Sequence, residues 1–504
     1  MPSGLLRTCG IVSGGLVVSR ISGMLKLAVV AALFGTGDAM DAFLVATALP
    51  LALVTVFGEA VYVATVKLVS RHRGERSDGW GEVGALVNVT VLAGIAASAL
   101  YWAFSPLLVR IIAPGFPAGL QSEACRLARC AAPIILLGTV QQVFHGILHA
   151  RCRFAVVAMQ LGVANAVAIG TVWCFSSSLG VGSYAIGMVL GDLVCCVVTC
   201  MAALRGGARY VFSFDCRCRG LRDSLHLGWP VAIGMGTLQA TCLTDRWFAS
   251  ALPAGSISAL GYALLLLTVP LSFVRTVVDV AFPALAGIFH ERGGERERRL
   301  GEAVRAYLKA LVMVGAPVSV MLVLWRQPLV GILLQRGRFD AASTDATSRA
   351  LLFYALGLMP LAFRHFLTRL SQSAGDSLTP LPSNVASLGA NLLLNFALVP
   401  ILGHAAIALS LTACTVVGTG LLFVQLRRKV PALRVPGLVS AVARPAGAAA
   451  AMLAAYFAAE RLGGSFVFAG LAGGAAYAAG LAALGAVGAR RVPGRAAPAQ
   501  VSPV

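Results

Sequence analysis

The chain has 504 residues, of which 58% are apolar and 12% are charged. Soluble domains carry about 25% charged residues, so a soluble enzyme of this length is excluded. Basic residues outnumber acidic ones by 40 to 20, a formal charge of +20. In a soluble chain that surplus points to nucleic acid, in a membrane chain to the cytoplasmic side, and the positions of the charges decide.

The N-terminus, MPSGLLRTCG, runs directly into a long apolar stretch with one arginine and no small-residue cleavage site. It reads as a retained first membrane helix, not a cleaved signal. Apolar runs of membrane-spanning length then recur along the chain. They lie near 8–32, 43–66, 86–107, 131–149, 154–176, 184–203, 229–252, 258–282, 306–325, 350–363, 382–399, 405–426, 445–459 and 466–489. Fourteen spans are expected, with the tenth and thirteenth short. The runs are continuous, which excludes the alternating strands of an outer-membrane barrel.

With a cytoplasmic N-terminus, the inward segments hold 27 of the 40 basic residues and the outward segments hold 8. The inward set includes Lys67, Arg71, Arg73 and Arg76, then Arg205, Arg209 and Arg217, then Arg292, Arg364, Arg369 and Arg434. This split fits the positive-inside rule with both termini cytoplasmic, so the surplus is mainly a topology signal and not a nucleic-acid footprint. The reading is an all-α polytopic membrane protein. It comprises an N-terminal lobe (1–203), a cytoplasmic linker (204–228), a C-terminal lobe (229–430), two extra helices (431–489) and a cytoplasmic tail (490–504).

Charges at membrane depth are costly and mark candidate sites. The first span holds Arg20 and Lys26, six residues apart and on different helix faces. Their bland alternative is snorkelling or pairing with a helix carboxylate. Asp38 and Asp41 flank the first outer turn, where Asp41 either caps the second span or serves the site. Glu59 lies deep in the second span as a partner for Lys26 or Arg20. Asp245 and Arg246 are adjacent in the seventh span and so point to different faces. Arg275 and Asp279, in the eighth span with Pro270, are four apart and suited to bridging. Asp192 stands alone in the sixth span. His145 and His149 are spaced i,i+4, a weak metal signal and more readily an interfacial polar edge. Cys216-Arg217-Cys218 is too tight for a zinc knuckle. The absence of a GxxxxGK[ST] loop argues against ATP-driven pumping, and no nucleophile–base set stands out for an enzyme. Intramembrane cations suit an anionic substrate, with a phosphate or pyrophosphate most natural.

An ordered series of short motifs carries a family resemblance. It begins with Ser19-Arg20-Ile21-Ser22-Gly23, Ala31-Ala32-Leu33-Phe34-Gly35-Thr36-Gly37, Asp41-Ala42-Phe43, Leu49-Pro50 and Phe57-Gly58-Glu59-Ala60. It continues with Ala113-Pro114-Gly115-Phe116, Arg153-Phe154, Asp245-Arg246 through Ala249-Ser250, Gly337-Arg338-Phe339-Asp340, Tyr354-Ala355-Leu356-Gly357-Leu358, and Asp376 with Thr379-Pro380. Over roughly residues 10–430 the chain resembles the MurJ (MviN) family, lipid II flippases of the multidrug/oligosaccharidyl-lipid/polysaccharide exporter superfamily.

The resemblance implies two pseudo-symmetric six-helix lobes around a central cationic cavity. It implies a groove for the undecaprenyl tail in the last two helices. The implied cargo is lipid II, carried from the cytoplasmic to the outer leaflet by alternating access, for cell wall synthesis. No cofactor is implied; membrane potential or a coupling ion is. Membrane lipids and the cell wall synthesis machinery are the implied surroundings. On this reading the transport set is Arg20, Lys26, Asp41, Glu59, Asp245, Arg246 and Arg275. The chain departs from the family where an Arg-Asp pattern becomes Lys26-Leu27, where paired arginines fall on Val54-Thr55, and where Ala-Asp-Arg falls on Ala263-Leu264-Leu265. Lysine keeps the charge but not the guanidinium fork. A transporter of another lipid-linked glycan or amphiphile, or a non-transporting paralogue, stays open beside the lipid II reading.

Overall fold

The computed structural model describes residues 3–71, 79–214, 219–290, 295–376, 378–430, 433, 438–462 and 465–483. Arg73, Arg76, Arg217, Arg292, Arg434, the Cys216–Cys218 pair and the tail 490–504 lie outside them. The described residues form seventeen helices and no strand. The first seven are α1 (Ser3–Phe34), α2 (Asp38–Arg71), α3 (Gly79–Ile112), α4 (Ala118–Ala131), α5 (Pro133–Ala150), α6 (Phe154–Leu179) and α7 (Gly182–Arg205). Then come α8 (Arg219–Ala249), α9 (Ser256–His290), α10 (Glu295–Leu324), α11 (Arg326–Leu334), α12 (Ala341–Leu356) and α13 (Leu358–Ser373). The last four are α14 (Pro380–Leu402), α15 (His404–Lys429), α16 (Leu438–Arg461) and α17 (Phe466–Ala483).

Among the described residues eleven stretches are long and apolar enough to cross a membrane, α4–α5 counting as one, and the bent pair α12–α13 makes a twelfth. The protein is an all-α polytopic membrane protein. Within the described residues the sequence-expected spans overlap these helices, the tenth falling across the α12–α13 break, and α1 and α8 are not in this set of twelve. They carry Arg20 with Lys26, and Asp245 with Arg246, respectively.

Two irregularities escaped the hydropathy pattern. Helix α4 is amphipathic and buries Ala124, Leu127, Ala128 and Ala131 at helical spacing. The tenth expected span is broken: α12 and α13 meet at 42°. Pro360 explains the break, since its ring cannot sit against the carbonyl one turn earlier and it has no N–H to give. Neighbouring hydroxyls take up carbonyls near the break. Thr412 Oγ1 donates to Phe353 O at 2.7 Å and Ser319 Oγ to Ala355 O at 2.6 Å. Without water at membrane depth, each unmet carbonyl there costs several kcal/mol, so these two hydroxyls make the bend affordable.

The chain divides into two compact units. The first comprises Met1–Tyr262, Val330–Thr347 and Ala397–Ile407. In it α6 packs on α1 and α7, and α2 packs on α5 and α8. A buried aliphatic cluster of Leu68, Leu86, Val143 and Leu148 joins α2, α3 and α5. At the end carrying the α1–α2 turn, the chain closes on itself through its loops. Arg338 N donates to Ala32 O at 2.8 Å, and Thr36 and Ser343 hydroxyls meet at 2.6 Å. Phe339 is buried edge-on to Tyr262, whose hydroxyl donates to Gly35 O at 3.1 Å.

This contact gives the Gly-Arg-Phe-Asp motif its residues. Gly35 and Gly337 have φ of +62° and +58°, and a Cβ on either would overlap the backbone carbonyl of Arg338 or Ala32. Asp340 then caps α12 by accepting the Ser343 N–H at 2.8 Å, and that bond holds its carboxyl below the usual carboxylate range. Gly337→Ala should therefore lower unfolding stability by about 2–4 kcal/mol. A thermal midpoint in detergent within a degree of wild type would show that the loop can yield.

The second unit comprises Ala263–Leu329, Ser348–Phe396 and Ala408–Val504. Its core joins Val312, Met452, Tyr477 and Leu481, and the Tyr477 hydroxyl donates to Met313 O at 2.7 Å, tying α17 to α10.

Candidate functional site

In the first unit, α1 meets α6 along one stripe. Ser19 Oγ donates to Ala158 O at 2.7 Å, Asn165 Nδ2 reaches Ser22 Oγ at 3.1 Å, and Gly15 sits against Ala158 and Met159. At 100° per residue, positions 15, 19, 22 and 26 share a face within about 60°. Lys26 is thus on the side of α1 that faces α6, within electrostatic reach of Asp192 on α7 but not ion-paired to it. Arg20 lies about 140° round the helix from Gly15. It is half-buried and ion-pairs with none of the described residues. The two α1 cations therefore differ in setting: the field of Lys26 reaches a carboxylate, and Arg20 stands on another face.

A second polar cluster links α2, α5 and α6. The Tyr62 hydroxyl and His149 Nδ1 are 2.9 Å apart, and Glu59 is the charge nearest that phenol. His145 Nε2 faces Gln160 Oε1 at 2.7 Å and its Nδ1 faces Gln142 Oε1 at 3.1 Å. The i,i+4 histidines are therefore held by amides and a phenol. Among the described residues no group of three His, Cys, Asp or Glu is placed to hold a metal ion.

Asp41 has a different task from capping its own span. It is 3% exposed, and its carboxylate accepts Gly255 N–H at 2.8 Å and Ser258 N–H at 2.7 Å. It caps α9 from across the unit, satisfying donors at the positive end of that helix. Asp245 and Arg246 lie in the last turns of α8, where Arg246 faces the negative helix end. Asp41 and Arg246 thus bear on helix termini, while Asp245 adds a negative charge at the negative end of α8.

In the second unit, Arg275 is exposed on α9. One turn on, Asp279 Oδ1 meets His365 Nε2 at 3.1 Å and Arg369 Nε at 3.4 Å, so α9 is tied to α13. Arg364, assigned from sequence to an inward segment, sits inside helix α13. Its guanidinium donates to Ser387 Oγ at 2.8 Å and Asn384 Oδ1 at 2.6 Å. Ser383, Ser387, Asn391 and Asn395 form a buried polar stripe along α14 at four-residue spacing. Sequence reading missed this cluster because Arg364 and its acceptors are 20 and 23 residues apart on two helices. Only the four-residue spacing of small polar residues in an apolar run signalled it.

Two cavities of about 550 Å³ belong to this unit. One is apolar, walled by Leu308, Phe363, Leu367, Val416, Phe423 and Val442 from α10, α13, α15 and α16. The other lies at the Asp376 loop and is lined by Arg296, Phe289, Ser371, Asp376 and Lys429. There Asp376 accepts from Lys429 Nζ at 2.6 Å and from the Thr379 hydroxyl at 2.5 Å, and caps α14 through Thr379 N–H. Burial works against its charge, but these donors outweigh it and hold the carboxyl below the usual carboxylate range. A depressed folded-state value means stability that is fully present above about pH 4 and lost as the pH falls through the folded value. The gap in thermal midpoint between wild type and Asp376→Asn should accordingly be constant above pH 5 and shrink on acidification. A gap that widened below pH 4 would contradict this.

A family model described as "Lipid II flippase MurJ" matches residues 30–471. The chain belongs to the MurJ lipid II flippase family. A probable lipid II flippase MurJ of Vibrio cholerae is 26% identical over 438 residues, covering 83% of this chain and 82% of that protein. One from Rhizobium meliloti is 27% identical over 471 residues, covering 88% and 86%. Among solved structures, a lipid II flippase MurJ in an inward closed conformation aligns with a TM-score of 0.80 at 21% identity, over 94% of this chain and 98% of that one. An inward-facing multidrug resistance MATE transporter aligns at 0.70 and 14% identity, over 82% and 95%. These two likenesses concern the fold.

Val54, Thr55 and Leu265 each have a local setting. Val54 lies against Gly138 of α5, where a Cβ would stand 2.7 Å from its methyls, so that site is helix packing. Thr55 donates back to Leu51 O at 2.8 Å, and Leu265 is an exposed aliphatic on α9.

Proposed function

We propose that the chain moves lipid II from the cytoplasmic to the outer leaflet of the inner membrane by alternating access, as a transporter and not an enzyme. The observation that carries this is the family match across 442 of 504 residues, from 30 to 471. Arg20 supports it chemically: a half-buried guanidinium with no ion pair among the described residues suits the pyrophosphate of the cargo. Lys26, Glu59 and Arg275 complete the transport set. Asp41 and Arg246 act on it by fixing helix ends, and Asp245 belongs to the set as an acidic residue beside Arg246. The apolar cavity beside α16 has the character needed for a polyprenyl chain.

The spans number fourteen on this reading, in two six-helix lobes with two further helices, and both termini are cytoplasmic. The 27 inward basic residues support that orientation. Membrane potential or a coupling ion drives the cycle, and cell wall synthesis enzymes receive the product. A different lipid-linked glycan is the second reading, favoured by the apolar residues at 54 and 265.

The test is complementation of cells depleted of their own lipid II flippase, read by labelling lipid II on the outer leaflet. Restored labelling is the expected result. Inner-leaflet accumulation despite good membrane expression would exclude lipid II as cargo.

A further inference from the structure

After α7 the chain turns at Gly206 and Gly207 and runs without helix or strand from Ala208 to Phe214 along the start of α3. This segment is fixed by its backbone. Asn88 of α3 accepts the Tyr210 hydroxyl at 2.7 Å and donates to Ser213 O at 2.8 Å. Gly84 lets Val211 approach so closely that a Cβ there would overlap the Val211 carbonyl. Arg151 donates to Gly206 O and stacks 4.9 Å from the Trp80 ring centroid.

Phe212 and Phe214 are exposed, Phe212 by 71%, with their rings edge-to-face at 5.1 Å, while the exposed Tyr210 ring is tethered through its hydroxyl to Asn88. Aromatics held open by an ordered backbone would be a liability in water. Two further features identify their surroundings. The outward stripe Leu193, Val197, Met201 and Leu204 of α7 leads directly into the segment, so the aromatics continue a lipid-facing flank. Arg205 and Arg209 are exposed beside them, and no acidic residue lies between 205 and 214. Aromatic rings with flanking arginines match the headgroup layer of an anionic leaflet.

We propose that residues 205–214 are an interfacial anchor that docks on anionic lipid headgroups and fastens the first half of the linker to the first unit and the bilayer surface together. The rings occupy the boundary between headgroups and acyl chains, and the two arginines select phosphate-bearing anionic lipid. This does not depend on the cargo.

The test places the photoreactive phenylalanine analogue p-benzoylphenylalanine at position 212 of the full chain, in nanodiscs of phosphatidylglycerol and phosphatidylethanolamine. Irradiation should give lipid adducts enriched in phosphatidylglycerol. Replacing Arg205→Gln and Arg209→Gln should reduce that enrichment about fivefold per arginine. The same probe at Phe214 gives an independent reading if the first variant folds poorly. Absence of lipid adducts at both positions, or adducts to a second polypeptide in native membranes, would overturn the anchor. So would an enrichment unchanged by loss of both arginines.

Discussion

Arg20→Ala should lower outer-leaflet lipid II labelling by roughly 10- to 100-fold while leaving the thermal midpoint within a few degrees. The size follows from losing one charge-assisted contact to a pyrophosphate, worth about 1.5–3 kcal/mol, at tenfold in rate per 1.4 kcal/mol. The specificity for function over folding follows from the geometry. Arg20 has no ion pair to lose among the described residues, whereas its helix is held to α6 through Ser19 and Ser22 on another face. Arg20→Lys should fall between, because lysine keeps the charge and loses the two-pronged donor. Lys26→Ala carries a second cost, since it removes a cation whose field reaches Asp192 at membrane depth. Its effect on stability should therefore exceed that of Arg20→Ala. An Arg20→Ala protein that folds and flips at the wild-type rate would remove this residue from the transport set.

Asp41→Ala should have the reverse signature: a loss of about 3 kcal/mol or more in unfolding stability, with transport per folded molecule unchanged. The carboxylate is buried and takes two N–H groups at the start of α9. Removing it leaves both donors unpaired in a site closed to water, each costing about 1–3 kcal/mol. Asp41→Asn keeps an acceptor oxygen and should lose only part of this. The measurements are thermal unfolding in detergent and labelling normalised to folded protein. A normal midpoint combined with lost labelling would return Asp41 to the cargo site.

Much of the fold was legible because hydropathy is local. A run of about twenty apolar residues must form a helix in lipid, where every backbone group needs an internal partner. The expected apolar runs accordingly overlap helices among the described residues, the tenth falling across two. The family was legible for a related reason. Gly35, Gly337, Asp340 and Asp376 mark turns and caps whose residue type is fixed by backbone geometry, so they recur as motifs.

The site was less legible. Sequence nominated Arg20, Lys26, Asp41, Glu59, Asp245, Arg246 and Arg275 because they are charged within apolar runs, and that rule does not distinguish a cap from a ligand. It also put Arg364 in a loop, since the Gly357–Pro360 break moved the helix boundary.

By itself the sequence determined the class of protein, its helices and its kinship, because these rest on composition, periodicity and residue-specific turns that act within a few residues. The tertiary structure alone decided the partners. It set Lys26 within electrostatic reach of Asp192, gave Asp41 to the start of α9 and Arg364 to α14, and left Arg20 without an ion pair among the described residues. Those choices depend on which helix faces meet, and facing residues here lie from 20 to more than 200 positions apart along the chain.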